Sequence, residues 1–215
     1  MGTAATVSNR HDRELSAWMA IAEQDDVILP PQHPIDELLA EHHLMEAVVA
    51  VMWREVQGLK RGAGLRVEVW RDVVEFIGNY VHLCHRRKEE QALLPVLQQS
   101  GLLTDLGAAE ATRHEHVRAA QLTLELVDGV SAGDWEMVLR VAEQYMSLIR
   151  PHLQREEQAF FAPLRRKMSE EAAAALRDEF RRCEAEGLGR FARGHYLAAV
   201  RRLCAAAQLD ALPSP

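Results

Sequence analysis

Four long helical patterns, separated by short breaks, constrain the fold of this chain more than any other feature of its sequence. Apolar residues recur at intervals of three and four over about 35–60, 66–99, 104–129 and 133–168, which predicts four amphipathic helices. The breaks between them are short, and short connections favour antiparallel neighbours. The sequence therefore predicts an all-α fold, an up-down-up-down four-helix bundle over residues 34–168.

The two ends of the chain are predicted to be additions to this bundle. Residues 1–33 are interpreted as a tail with one short helix, because the proline-rich stretch DDVILPPQHP excludes a continuing helix. Residues 169–215 are predicted to form a helical extension packed on the bundle, with Ser169 as N-cap of its first helix and a last helix over about 190–207. Pro151 predicts either a bend in the fourth helix or a division into two helices.

Composition and charge argue against several classes of protein. Apolar residues make up 48% of the 215, which is enough for a real core, and the net charge of -7 argues against a general binder of nucleic acid or anionic membrane. Three widely spaced cysteines predict neither a disulfide framework nor a thiolate zinc site: Cys84, Cys183 and Cys204. With no long apolar run and no signal-peptide pattern, a cytoplasmic protein is expected.

Polar residues occur on the apolar face of every predicted bundle helix. On two helices the inward polar residues follow a His-x-x-x-Glu pattern, whose side chains share one face, and the other two helices contribute one inward histidine each. The positions are His42, His85, Glu89, His116, His152 and Glu156. In an antiparallel bundle they can converge at one level in a dry core. Such a cluster costs several kcal/mol per unpaired group, and a pair of metal cations removes that cost.

The residue types favour iron among the metals. Zinc is normally held by about four ligands in one closed shell, whereas six nitrogen and oxygen ligands suit a pair of iron or manganese ions. Ferritin-like di-iron sites use two Glu-x-x-His pairs, and this chain contains none. The pattern therefore favours a histidine-rich di-iron centre.

The chain resembles hemerythrin-like proteins of the bacterial HHE cation-binding family. The similarity covers about residues 35–207 and lies in four stretches, in the family's order: ELLAEHHLMEAVV, FIGNYVHLCHRRKEEQALLPVL, ATRHEHVRAA and IRPHLQREEQAFFAPL. The resemblance implies a four-helix bundle around two non-haem iron ions, with or without an oxo or hydroxo bridge. It implies that the six inward residues are the ligands, and that Glu89 and Glu156 bridge the irons.

The chain also departs from hemerythrins proper. Those proteins carry His-x-x-x-His on the third helix, whereas this chain has Thr112 and Ala120 at four residues on either side of His116. With one histidine fewer, one iron is expected to be poorer in ligands than the other. Water or one of three side chains would complete its coordination, or the side chains would support the ligands from behind: Glu46, His82 and Tyr145. An open position favours reactivity over reversible oxygen carriage.

Two functional hypotheses follow. The first is a di-iron protein that binds or turns over dioxygen, peroxide or nitric oxide, with electrons from a redox partner protein. The second is an oxygen, redox or iron sensor, or an iron-handling module, that acts through a protein partner without turnover. A structural bundle with a vestigial site is a third interpretation, and candidate ligands on all four helices argue against it. Catalysis, whether peroxidase-like, catalase-like or on nitric oxide, and the oligomeric state are left open.

Overall fold

The computed structural model describes residues 33–99, 101, 106–187 and 192–209, and these residues form six helices with no strand. Four of them are α1 (Pro34–Lys60), α3 (Leu106–Ala132), α5 (Glu170–Gly187) and α6 (Ala192–Leu209). The other two, α2 over residues 67–99 and α4 over residues 135–167, are continuous helices in which α-helical and π-helical stretches alternate. The predicted all-α class is confirmed.

Among the residues that the structure describes, π-helical stretches are found only in the two helices that contribute both a histidine and a glutamate to the predicted ligands. In α2 the order is Val67–Glu75 (α), Phe76–His85 (π), Arg86–Lys88 (α), Glu89–Leu93 (π) and Leu94–Gln99 (α). In α4 it is Trp135–Glu156 (α), Glu157–Phe161 (π) and Ala162–Lys167 (α). π-Helical turns bond residue i to i+5 and frequently lie at functional sites.

Short glycine-containing turns join the helices of each hairpin. Gly62 follows α1 and Gly133 follows α3, and both have positive φ, which glycine adopts without a Cβ penalty. Asp134 then caps α4 by accepting from the Met137 amide at 3.0 Å. These turns reverse the chain between α1 and α2 and between α3 and α4, as the sequence predicts.

The remaining predictions about helix boundaries are settled in part. The α-helical stretch Trp135–Glu156 continues through Pro151, so the alternative of two separate helices is wrong. Ser169 acts as the N-cap of α5, because its Oγ accepts from the Ala172 amide at 3.2 Å. The predicted tail and its short helix lie outside the described residues, apart from residue 33. Within the described part of the chain, none of the helices combines the length and apolarity needed to cross a membrane.

Two apolar clusters form the core and leave a polar level between them. The larger contains α6 residues such as Leu203 and reaches Met45 on α1. The smaller contains α5 residues such as Phe180 and ends at Leu38 on α1. His42 lies between these two α1 positions. The same order holds for the predicted ligands on α2 and α3, and on α4 Glu156 lies between Leu153 of the larger cluster and Phe160 of the smaller, with His152 next to Leu153. The predicted ligands therefore occupy one layer across the bundle, with α6 at the larger cluster and α5 at the smaller.

Candidate metal centre

The structure brings all six predicted ligand residues together in the buried layer between the clusters. They form two overlapping groups of four, and the ligand atoms of each group lie within 4.8 Å of one another. The first group contains His42 and His85, and the second contains His116 and His152. Both groups contain Glu89 and Glu156, so these two carboxylates lie between the two pairs of imidazoles.

The distances inside each group match those between ligands of one cation. Nε2 of His85 lies 3.3 Å from Glu89 Oε1, and Nε2 of His152 lies 3.3 Å from Glu156 Oε2. Across the bundle, His116 Nε2 lies 3.3 Å from the other oxygen of Glu89. Two donor atoms that are each about 2.1 Å from a tetrahedral cation lie roughly 3.4 Å apart.

Unsatisfied polar atoms at the centre of this layer also fit bound cations. Both oxygens of Glu89, both oxygens of Glu156, and Nε2 of His42 and His85 are buried without a hydrogen-bond partner. A buried polar atom left in this state costs about 1–3 kcal/mol, and more when the group is charged. Carboxylate oxygen and imidazole nitrogen are ligands for iron, manganese and zinc, so the donor set fits the metal that the sequence predicts.

A ring of four glutamates orients the four imidazoles. In each case Nδ1–H donates to a carboxylate on the neighbouring helix, which turns the Nε2 lone pair towards the centre. The pairs are His85 with Glu41 (2.8 Å), His116 with Glu90 (2.8 Å), His152 with Glu115 (2.9 Å) and His42 with Glu157 (3.0 Å). The donors and acceptors run from α1 to α2, α3, α4 and back to α1, so the ring closes around the bundle.

This ring explains the doubled glutamates in the KEE and REE stretches. In each pair the first glutamate, Glu89 or Glu156, points to the centre, and the second, Glu90 or Glu157, reaches a histidine on another helix. Both second glutamates lie in π-helical stretches. Each of these stretches begins at or beside the inward glutamate, and π-helical turns are frequent at functional sites.

The site is built from a motif that occurs twice. The pair Glu41-His42 on α1 has its counterpart in Glu115-His116 on α3. The run from His85 to Glu90 on α2 has its counterpart in the run from His152 to Glu157 on α4, with histidine and the two glutamates at the same spacing. Sequence reasoning placed the inward residues and did not find the orienting glutamates. The available signal was a glutamate directly before each lone inward histidine and directly after each inward glutamate.

Electrostatics in the layer favour positive charge beside its carboxylates. Burial alone would lower the pKa of His116, but the carboxylates of Glu89 and Glu90 outweigh it and raise the pKa to about 9. Burial and the charge of Glu89 raise the pKa of Glu156. Burial likewise disfavours the charged form of Glu89, but His85 and the other imidazoles outweigh it and lower the pKa of that carboxyl. Without a cation, protons on His42, His85 and His116 supply the positive charge, and a metal must displace them to reach the Nε2 lone pairs.

The three additional candidates from the sequence belong to neither group of four. Glu46 is exposed. His82 Nε2 lies 3.0 Å from Thr123 Oγ1, and Tyr145 is buried in the larger apolar cluster. The histidines are divided evenly, two to each group, so the expectation that one iron would be poorer in histidine than the other does not match this arrangement.

The fold and this layer define a class of protein, a helical bundle with a buried histidine-carboxylate site for cations. The family described as Hemerythrin HHE cation binding domain matches residues 33–164, which is more than half of the chain. The chain therefore belongs to the hemerythrin HHE cation-binding family, as the resemblance predicted.

The chain was also compared with individual proteins and with solved structures. Uncharacterised proteins of Mycobacterium bovis and Mycobacterium tuberculosis are 24% identical to the chain over 182 residues, which covers 83% of this chain and 69% of each relative. No solved structure gives a significant match.

Proposed function

We propose that this protein is a non-haem di-iron protein that binds or reacts with dioxygen, peroxide or nitric oxide. One observation carries the proposal: two groups of four buried ligand residues share Glu89 and Glu156. Sites of this kind hold two cations roughly 3.5–4 Å apart, with carboxylates between them. The six ligands would be His42, His85, Glu89, His116, His152 and Glu156.

The donor set and the family support iron as the metal. HHE domains bind metal cations, commonly iron. Imidazole and carboxylate ligands also serve manganese and zinc, so metal analysis is the decisive measurement. When bound, two irons would supply the electrons that reduce dioxygen or peroxide, chemistry that none of the six side chains can perform on its own.

The protein's own residues would select and protect this chemistry. The ring of glutamates keeps each imidazole in the tautomer with a free Nε2 and in a fixed orientation. The Phe161 ring packs on His42, with their ring centroids 4.9 Å apart, and excludes water from that side. All six ligands are buried, so the layer would admit only small molecules.

Metal content and absorption of protein purified under air test the proposal first. We expect about two irons per chain, as for other two-metal sites, and near-ultraviolet bands that shift when azide is added. His85→Ala should lose mainly the iron of the first group, together with the bands that require both ions. His114→Ala is the matched control, because His114 is an exposed histidine on α3 and should leave both unchanged. Stoichiometric zinc, or a folded protein without metal, would contradict the di-iron proposal.

Loss of hydrogen peroxide and binding of nitric oxide by the iron-loaded protein test reactivity next. Catalysed loss of peroxide that His85→Ala abolishes and His114→Ala retains would support an enzyme. Tight binding without turnover would instead support the second candidate, a sensor or iron-handling module that acts through a partner. One observation favours that candidate. Helix α5 lies beyond the residues matched by the family, and its Glu184 contacts Lys88, which pairs with Glu41, the carboxylate that holds the predicted ligand His85.

A further inference from the structure

Lys88 is a fully buried ammonium group surrounded by carboxylates. Its Nζ lies 2.5 Å from Glu37, 2.6 Å from Glu41 and 2.6 Å from Glu184, and 5.5 Å from the centre of the Phe180 ring. A buried charge of this kind is retained only when its partners satisfy it closely. Glu41, Cys84 and Glu184 also lie close together, and the ammonium group of Lys88 supplies the positive charge there, because it contacts both glutamates.

The C-terminal helix α5 supplies part of this arrangement. Glu184 and Phe180 both belong to α5, which begins after the residues that match the family. Near the end of α5, a Cβ on Gly187 would lie 2.1 Å from the Leu83 carbonyl oxygen, so a side chain there would force the two helices apart. Helix α5 is therefore docked directly on α2 beside Lys88.

A continuous set of contacts leads from α5 to a predicted metal ligand. Glu184 bonds Lys88, and Lys88 bonds Oε1 of Glu41. The other oxygen of Glu41 accepts from Nδ1 of His85 at 2.8 Å. Movement of His85 away from the centre therefore requires movement of Glu41, whose second oxygen is held by a buried charge.

The half of the site formed by His116 and His152 has equivalent contacts, but its supporting cation is exposed instead of buried under α5. Arg155, which takes the place of Lys88 in the second copy of the motif, pairs with Oε1 of Glu115, and Oε2 of Glu115 accepts from Nδ1 of His152. The Arg155 side chain is 50% exposed, whereas that of Lys88 is 0% exposed. Exposed ion pairs contribute little, because water and salt screen them.

We propose that Lys88 and Glu184 are positioning residues that make the cation position at His42 and His85 the slowly exchanging one of the two. The position at His116 and His152, supported by the partly exposed Arg155–Glu115 pair, is the labile one. Helix α5 thereby sets the relative lability of the two cations. The inference rests on the proposed two-cation site and would apply to any metal that occupies it.

Release of Co²⁺ from the cobalt-loaded full chain to excess chelator tests this inference. We expect two phases for the wild type, one for each position. Glu184→Gln should accelerate the slow phase about 10-fold, in line with the 10–100-fold effects of groups that support metal ligands, and leave the fast phase unchanged. Arg155→Gln should affect only the fast phase. Glu186→Gln is the matched control, because Glu186 lies on α5, is 65% exposed and pairs with Arg87 instead of Lys88.

A spectroscopic measurement distinguishes positioning from a general loss of stability. In the cobalt-loaded protein the imidazole Nδ1 protons give exchangeable, paramagnetically shifted NMR signals, and Glu184→Gln should displace mainly that of His85. Acceleration of both phases together, or unchanged release in Glu184→Gln, would overturn the inference. A wild-type chain that binds no cobalt or iron would overturn the proposed function as well. Two-phase release from a protein that is inert towards oxidants would remove only the proposed reactivity.

Discussion

The two halves of the metal centre contain equivalent contacts in different surroundings. In the half formed by His42 and His85, the supporting pair Glu41–Lys88 is completely buried beneath α5. In the half formed by His116 and His152, the corresponding pair Glu115–Arg155 is partly exposed. The inward geometry is nearly the same, with His-x-x-x-Glu distances of 3.3 Å in both halves.

The two halves have the same types of ligand atom, but the groups that hold these ligands in place differ in burial. Two sites with the same donor atoms are expected to have similar intrinsic affinity for a cation. The charges behind the ligands act through a low dielectric in the buried half and through water in the exposed half, so the same pair has a larger effect where it is buried. The comparison therefore predicts unequal consequences for equivalent substitutions.

The largest expected effect comes from a residue that both halves share. Glu89→Ala should abolish binding at both positions, because Glu89 belongs to both groups, whereas His42→Ala should remove mainly the ion of the first group. Metal analysis after anaerobic loading with Fe²⁺ should therefore give less than half the wild-type content for Glu89→Ala and about half for His42→Ala. Equal losses in the two variants would show that the two positions fill only together.

A second comparison concerns the stability of the metal-free protein. Lys88→Met leaves Glu41 as a buried carboxylate without its ammonium partner, which should lower the free energy of unfolding by about 3–5 kcal/mol. Arg155→Met removes the exposed counterpart and should cost about 1 kcal/mol or less. Urea unfolding followed by circular dichroism measures both. Similar values for the two variants would contradict the distinction between a buried and an exposed half.

The fold and the inward residues could be predicted because they depend on periodicity. Residues such as His85 and Glu89 share a helix face with apolar neighbours, and spacing alone places them towards the core. The one-residue separation of Glu89 from Glu90 carries no such signal, because an ideal α-helix would turn Glu90 away. Its role depends on His116 of another helix, which is a tertiary feature.

The role of Lys88 was equally inaccessible from local sequence. A lysine between an arginine and two glutamates is normally exposed, and packing against α1 and α5 buries it. Glu46 shows the opposite error, since it lies four residues after His42, at the spacing that gives an inward glutamate on α2 and α4. It is exposed, and the carboxylate at Nδ1 of His42 comes from Glu157, which is distant in sequence and lies on α4.

A third comparison should show equality between the halves. Glu157 supports His42 of the first group and Glu90 supports His116 of the second, and both glutamates are only partly buried. Glu157→Gln and Glu90→Gln should each weaken binding at one position about 10–100-fold, measured by competition with a chromophoric chelator. Glu110→Gln, an exposed change on α3, serves as control. If one substitution weakened binding much more than the other, the difference between the two halves would arise from the ring of glutamates and not from burial by α5.

The smallest expected effect concerns His82, a side chain in one half whose counterpart in the second copy of the motif is Ile149. Burial, with the charges of Arg86 and His116, lowers the pKa of His82 to about 4. Because this pKa lies below the unfolded value of about 6.5, His82 favours the folded state above pH 6.5 and loses that contribution as the pH falls towards 4.

Unfolding of metal-free wild type and His82→Gln by urea at pH 7 and pH 5 checks this linkage. Glutamine keeps a polar group near Thr123 and does not titrate, so the variant should lose about 1–2 kcal/mol less than the wild type on acidification. Ile149→Val, an apolar change in the other half, should leave the pH dependence at the wild-type value. A pH dependence in His82→Gln equal to that of wild type would mean that the buried layer alone controls acid stability, and that this difference between the halves has no energetic consequence.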